Sequence, residues 1–119
     1  MANIKACLDE TMDLEGAGGV VLIDLKTGRT LGMAGDLPNL DIEAATNADL
    51  LKAKLKVLQV LDHTDTVEDM VITLGQSYHL IRCIGGAQGL MLYMNLRRAQ
   101  TDIAAIRTRL SQIESELVL

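Results

Sequence analysis

The chain contains no Phe and no Trp, and Tyr78 and Tyr93 are its only aromatic rings. Single-stranded nucleic acid is usually bound by stacking bases on such rings, and a formal net charge of -5 repels phosphate backbones. Nucleic acid is therefore excluded as an expected partner. Cysteine is equally sparse: Cys7 and Cys83 lie far apart, form no C-x-x-C, and each falls on an apolar stripe, which reads as buried thiols in a reducing compartment. No apolar run approaches the roughly 20 residues needed to span a bilayer, and Met1 to Glu15 has no signal-peptide core. A soluble, cytoplasmic protein with no membrane insertion is expected.

What is present is aliphatic. Hydrophobic residues make up 49% of the 119 positions, enough for the core of one domain over residues 1–119, with six Met as adaptable filler. Asn3 can cap a first helix reaching Leu14, because Ile4, Cys7, Leu8 and Thr11 recur at helical spacing. Gly16, Gly18 and Gly19 then end it. Gly19 to Leu25 is a β-branched run apolar at almost every position, which suits a strand covered on both faces. Lys26 to Arg29 form a turn, and Thr30 to Ala34 returns as an antiparallel partner. After a loop from Gly35 to Leu40, which holds the only proline, Asp41 is positioned to cap a long helix to about Leu61.

That helix carries two apolar stripes. Ala44, Ala48, Leu51, Leu55 and Leu58 form one, of the kind that packs on a sheet. Leu50, Ala53, Val57, Val60 and Leu61 form a second, a quarter turn or more away. One sheet contact does not use both. Beyond a polar turn at Asp62 to Thr66, strands are expected at Asp69 to Leu74, Tyr78 to Ile84 and Leu90 to Leu96, joined by turns at Gly75 to Ser77 and Gly85 to Gly89. LMLYMNL, apolar on both faces, belongs in the middle of a sheet; MVITL, with Thr73, suits an edge. From about Arg97 to Leu117 a helix is expected with Ala99, Ile103, Ile106, Leu110, Ile113 and Leu117 on one side. The sum is an α+β fold, a five-stranded antiparallel sheet between one long helix on one face and two helices on the other.

Chemistry is hard to find in these residues. The glycines at 16 to 19 precede a strand, whereas a phosphate-cradling loop follows a strand and opens a helix. Lys26-Thr27-Gly28 matches one element of the penicillin-binding serine enzymes, but no S-x-x-K accompanies it. His63 and His79 share no spacing with Asp, Glu or Cys that would suit a metal or an acid–base pair. Paired carboxylates such as Glu68-Asp69 and Glu114 with Glu116 read as solubilising charge, and Arg97, Arg98, Arg107 and Arg109 as a solvated face. No catalytic residue, metal ligand or cofactor site is expected.

In their order, these segments resemble the Roadblock/dynein light-chain family: Glu15-Gly16-Ala17-Gly18-Gly19 leading into VVLIDL, the turn Lys26-Thr27-Gly28, Leu31-Gly32, and LMLYMNL running into an Arg-rich helix. Thr27 stands where an acidic residue is common. The resemblance implies a profilin-like sandwich that pairs through edge strands and middle helices as a homodimer or heterodimer. Leu50, Val57 and Leu61 on the helix, with Met70 and Ile72 on the edge strand, would form that interface. It also implies a non-enzymatic regulator or scaffold, with Ras-like small GTPases or motor and signalling complexes as partners. A small-molecule-sensing module of the same fold, or a light-chain type structural adaptor, is the alternative.

Overall fold

The computed structural model describes residues 2–62, 64–84 and 89–118. Helix α1 (Ile4–Met12) is followed by strands β1 (Ala17–Asp24) and β2 (Arg29–Gly35), helix α2 (Leu40–Val60), strands β3 (Asp69–Thr73), β4 (Ser77–Ile84) and β5 (Leu90–Arg97), and helix α3 (Ile103–Ser115). The strands form one antiparallel sheet in the order β2-β1-β5-β4-β3. The most deeply buried strands, β1 and β5, lie inside, and β2 and β3, in which no residue is fully buried, are its edges. His63 and the expected turn residues Gly85 and Gly86 lie outside the described residues.

Alternation along the strands divides the core in two. Val20, Leu22, Leu80, Leu92, Met94 and Leu96 face α1 and α3, meeting Cys7, Leu8, Ile106, Leu110 and Ile113. Val21, Ile23, Ile81, Met91 and Tyr93 face α2 and meet Leu40, Ala44, Ala48 and Leu51. A sheet buried on both faces needs no polar side on its central strands, which is why β1 and β5 read as continuous apolar runs. The α2 seat depends on Gly19, where an added Cβ would come within 2.7 Å of Leu40. Gly35 ends β2 in a left-handed conformation (φ +108°), with Gly18 O 2.6 Å from where its Cβ would stand.

Local signals held in part. Asn3 caps α1 as expected, its side chain accepting from Ala6 N at 2.8 Å. Asp41 does not cap α2: the helix starts at Leu40 after a left-handed Asn39, and Asp41 lies in the first turn, where its charge complements the helix dipole. Of the sheet-facing stripe, Ala44, Ala48 and Leu51 are buried, but Leu58 is only half-buried and Leu55 is exposed, the two lining an open hollow with Leu25, Val67, Cys83 and Leu90. β1 begins at Ala17, so Gly18 and Gly19 are strand residues that leave room for Leu37 and Leu40.

The continuous helix expected from Arg97 does not form. β5 runs through Arg97, one 3₁₀ turn covers Arg98–Gln100, and Thr101 and Asp102 are extended before α3 begins. Asp102 caps α3, accepting from Ala105 N at 3.1 Å. Ala99 therefore lies off the apolar stripe of α3. Leu117, beyond the helix, pairs with Ala2 in a short parallel bridge that joins the two ends of the described chain. Asp102→Ala is expected to lower unfolding stability by about 1 kcal/mol in urea titration, because the cap is lost. A helix continuous through Asp102 would instead gain from alanine.

Candidate protein interface

At about 100° per residue, Ala44, Ala48 and Leu51 point α2 into the sheet, and Glu43, Leu50, Lys54, Val57 and Leu61 turn toward the β4 and β3 side. Glu43 reaches β4 and β5 directly, which establishes that direction. Nothing in the described chain covers the second stripe. Leu50 and Val57 are exposed, as are Leu61 (61%) and Val60 (73%). Ile42, 59% exposed, extends the strip toward the helix start. Sequence spacing did not reveal it because it lies about two turns ahead of Leu50, the nearest member of the second stripe. Met70 and Ile72 are half-buried on the same side of the sheet, packed at the margin of the α2-facing core. Of the five residues expected at an interface, Leu50, Val57 and Leu61 are thus exposed at α2, and Met70 and Ile72 are half-buried on the edge strand.

The two sheet edges differ. β2 carries a bulge: Gly32 opposes Leu22 and Thr30 opposes Ile23, leaving Leu31 as an extra residue, and α1 packs so closely that a Cβ on Gly32 would lie 2.8 Å from Leu8. Bulges and covering helices are the usual protection of an edge. β3 has neither. Its register with β4 is uninterrupted from Asp69↔Arg82 to Thr73↔Tyr78. Cys83 N donates to Glu68 O and Leu74 N to Ser77 O, so the alternation of an antiparallel ladder turns the backbone of Met70 and Ile72 toward β4. The N–H and C=O groups of Asp69, Val71 and Thr73 face outward, unprotected, and Val71 is 38% exposed.

A buried ion network ties this edge to α3. Arg82 Nη1 donates to Asp69 Oδ2 (2.8 Å), its Nε and Nη2 donate to the two carboxylate oxygens of Glu114 (2.6 and 3.0 Å), and Nη2 also reaches Ser111 Oγ (3.1 Å). Arg107 closes it from α3, donating Nε to Asp69 Oδ2 (2.7 Å) and Nη2 to Oδ1 (3.1 Å). Burial alone would depress the Arg82 guanidinium; the carboxylates of Glu114 and Asp69 more than reverse this and hold it above its ordinary range. Asp69 and Glu114 are therefore structural anions, with side chains 8% and 12% exposed, not the solubilising charges their sequence context suggested. Arg107, read as part of a solvated face, is half-exposed but anchored to Asp69.

A second polar cluster sits under the start of α2. Glu43 Oε1 accepts from the Tyr93 hydroxyl and from Asn95 Nδ2 (2.6 Å), and His79 Nε2 lies 3.4 Å from it. The His79 and Tyr93 rings meet edge to face at 5.5 Å. Burial, then the Glu43 carboxylate, pushes the Tyr93 phenol well above its ordinary range. His79 has a carboxylate neighbour after all, invisible in sequence because α2 brings it from a distant segment. The cluster holds no serine, threonine or cysteine side chain. Burial also raises Cys7 and Cys83, away from a reactive thiolate. Among the described residues no three His, Cys, Asp or Glu side chains could hold a metal ion, and no helix is long and apolar enough to cross a membrane.

The architecture is that of Roadblock/LC7 domains. A Roadblock/LC7 domain from Streptomyces avermitilis superposes with a TM-score of 0.81 at 16% identity, covering 96% of this chain and 93% of that one. MglB of Myxococcus xanthus matches at 0.79 and 16%, over 93% and 88% of the two chains. The gliding protein MglB of Thermus thermophilus matches at 0.69 and 21%, over 92% and 87%. Comparison with protein-family models and with curated protein sequences gives no match. The chain has the Roadblock/LC7 fold.

Two outcomes test the polar clusters. Arg82→Met is expected to cost about 3–5 kcal/mol in chemical unfolding, since it strands Asp69 and Glu114 without their buried cation. For Tyr93 the folded state holds the phenol proton more tightly than the unfolded chain does. The associated stability is fully present below the ordinary phenol value of 10.0 and is lost as pH rises above it. Unfolding stability measured from about pH 8 to 11 should therefore fall at the alkaline end, and Tyr93→Phe should make that fall shallower.

Proposed function

We propose that the chain is a non-catalytic, homodimeric regulator or scaffold that acts on other proteins, and that its partner is a Ras-like small GTPase. The observation that carries the dimer is the uncovered apolar flank of α2, Leu50, Val57 and Leu61, lying beside the unprotected β3 edge with Met70 and Ile72. Exposed apolar residues joined in one strip are a feature of protein interaction surfaces, and a bare, regular edge strand is a liability until a second strand covers it. Two copies related by a two-fold axis would satisfy both requirements at once, because an isologous contact buries the same surface on each subunit. A solved MglB structure is described as having a tetrameric arrangement, so self-association occurs within this fold.

The GTPase as partner rests on the resemblance of the sequence to the Roadblock family, whose members commonly partner Ras-like GTPases. The role is one of binding. A regulator without an active site acts by reshaping the switch loops of the GTPase or by bringing it to other proteins.

Sedimentation of the wild type at micromolar concentration should give a dimer, and the double variant Leu50→Asp with Val57→Asp a folded monomer. A wild-type monomer would end the dimer reading. For the partner, a Ras-like GTPase encoded in the same genome should bind the dimer more tightly in one nucleotide state than in the other. Equal or absent binding in both states would remove the GTPase and leave the scaffold.

A further inference from the structure

Resting on the proposed dimer, we infer that its register is set by a hydrogen bond made twice across the two-fold axis, from the Thr73 hydroxyl of each subunit to the partner's Asp69 carboxylate. Both residues lie on β3, so the strand itself supplies the geometry. The outward-facing backbone groups belong to Asp69, Val71 and Thr73. A second β3 running antiparallel engages all three when Val71 meets its own copy on the axis, which sets Thr73 opposite the partner's Asp69. Moving the axis to Met70 leaves Thr73 without a strand residue opposite, and moving it to Ile72 does the same to Asp69. A further shift toward the start of the strand brings Asp69 against its own copy, carboxylate to carboxylate, which like charges oppose.

The two side chains also share a face. Asp69 registers with Arg82 and Thr73 with Tyr78, and Arg82 and Tyr78 both stand on the side of the sheet that carries α3. Residues directly opposite in an antiparallel pair project to the same side, with Cβ atoms about 4.5–5.5 Å apart. A threonine hydroxyl and an aspartate carboxylate span that gap with one hydrogen bond.

Donor and acceptor both have capacity to spare. A carboxylate oxygen accepts about two hydrogen bonds. Asp69 Oδ2 is filled by Arg82 Nη1 and Arg107 Nε, whereas Oδ1 accepts from Arg107 Nη2 alone among the described residues. Arg82 holds Asp69 from the β4 side and Arg107 holds it from α3, so the side left is the open edge where the second strand arrives. Thr73 is exposed, and its hydroxyl donates to no group among the described residues. Inside a seam that hydroxyl loses water and needs an acceptor, and the partner's Asp69 is the one opposite. The carboxylate that ties β3 to α3 thus also fixes where the second copy sits.

The bond and the register are tested separately. Thr73→Val keeps the shape and removes the hydroxyl; valine suits a strand as well and is more apolar, so in the absence of the bond it would hold or tighten the dimer. With the bond, Thr73→Val should raise the dimer dissociation constant about tenfold to hundredfold, because two charge-assisted hydrogen bonds are lost. Thr73→Ser keeps the hydroxyl and should stay within about threefold of wild type. An unchanged or tighter dimer for Thr73→Val, or a Thr73→Ser dimer equally weak, overturns the bond. Register is read by oxidative cross-linking through one introduced cysteine, with the linked peptides identified by mass spectrometry. Val71→Cys should form the intersubunit disulfide, its two copies lying about 5.5 Å apart at Cα. Met70→Cys and Ile72→Cys should not, their copies being offset along the strands to about 8 Å, beyond disulfide reach. Cross-linking by either in place of Val71→Cys overturns the register. If Leu50→Asp with Val57→Asp monomerises the chain while Thr73→Val dimerises as tightly as wild type, the dimer stands and the bond falls. A monomeric wild type removes both.

Discussion

Arg82 carries its guanidinium into the gap between the edge strand and α3, where it would be costly to bury without the two carboxylates that meet it. Asp69 is the first residue of β3, and Glu114 belongs to α3, so one cation joins the start of the edge strand to the last helix. Arg107 holds the same Asp69 from a second side. A strand of only five residues at the end of a sheet has little core of its own. Charge fixes its position, and everything proposed for that edge depends on it staying there.

The rest of the molecule gives each side of the sheet a different task. Toward α1 and α3 the sheet is closed by two helices and by the bridge between Ala2 and Leu117. Toward α2 it is closed over β1 and β5, where Gly19 lets Leu40 approach, and becomes more open toward β4 and β3. α2 is long enough to present a second apolar strip over that open side. The core around the sheet is aliphatic, with no Phe or Trp. Tyr93 is the exception, and its hydroxyl is satisfied by Glu43.

Much of this was legible in the residues. Periodicity located three helices and five strands, and the two-sided apolarity of LMLYMNL placed that strand inside the sheet while Thr73 marked an edge. The two stripes of α2 separated a sheet-facing side from an exposed one, though only Ala44, Ala48 and Leu51 of the first stripe are buried, Leu55 and Leu58 lining an open hollow over the sheet. The break at Arg98 to Asp102 was hidden because the apolar spacing of α3, extended backward, happens to include Ala99. The polar clusters were hidden for a different reason. Asp69, Arg82, Arg107 and Glu114 come from three separate elements, as do Glu43, His79, Tyr93 and Asn95, so no local spacing announces either cluster. A lone arginine in a strand reads as surface until the helix that covers it is in place.

The central claim is that the β3 edge is where a second copy joins the sheet, and the backbone amides of Val71 and Thr73 report on it most directly. Both face away from β4 and have no partner strand among the described residues. Amide hydrogen exchange at concentrations spanning the association should show both protected when the chain is concentrated and exchanging rapidly when it is dilute, with Met70 and Ile72 protected throughout by β4. Rapid exchange at Val71 and Thr73 at every concentration, in a sample that sediments as a dimer, would contradict the account.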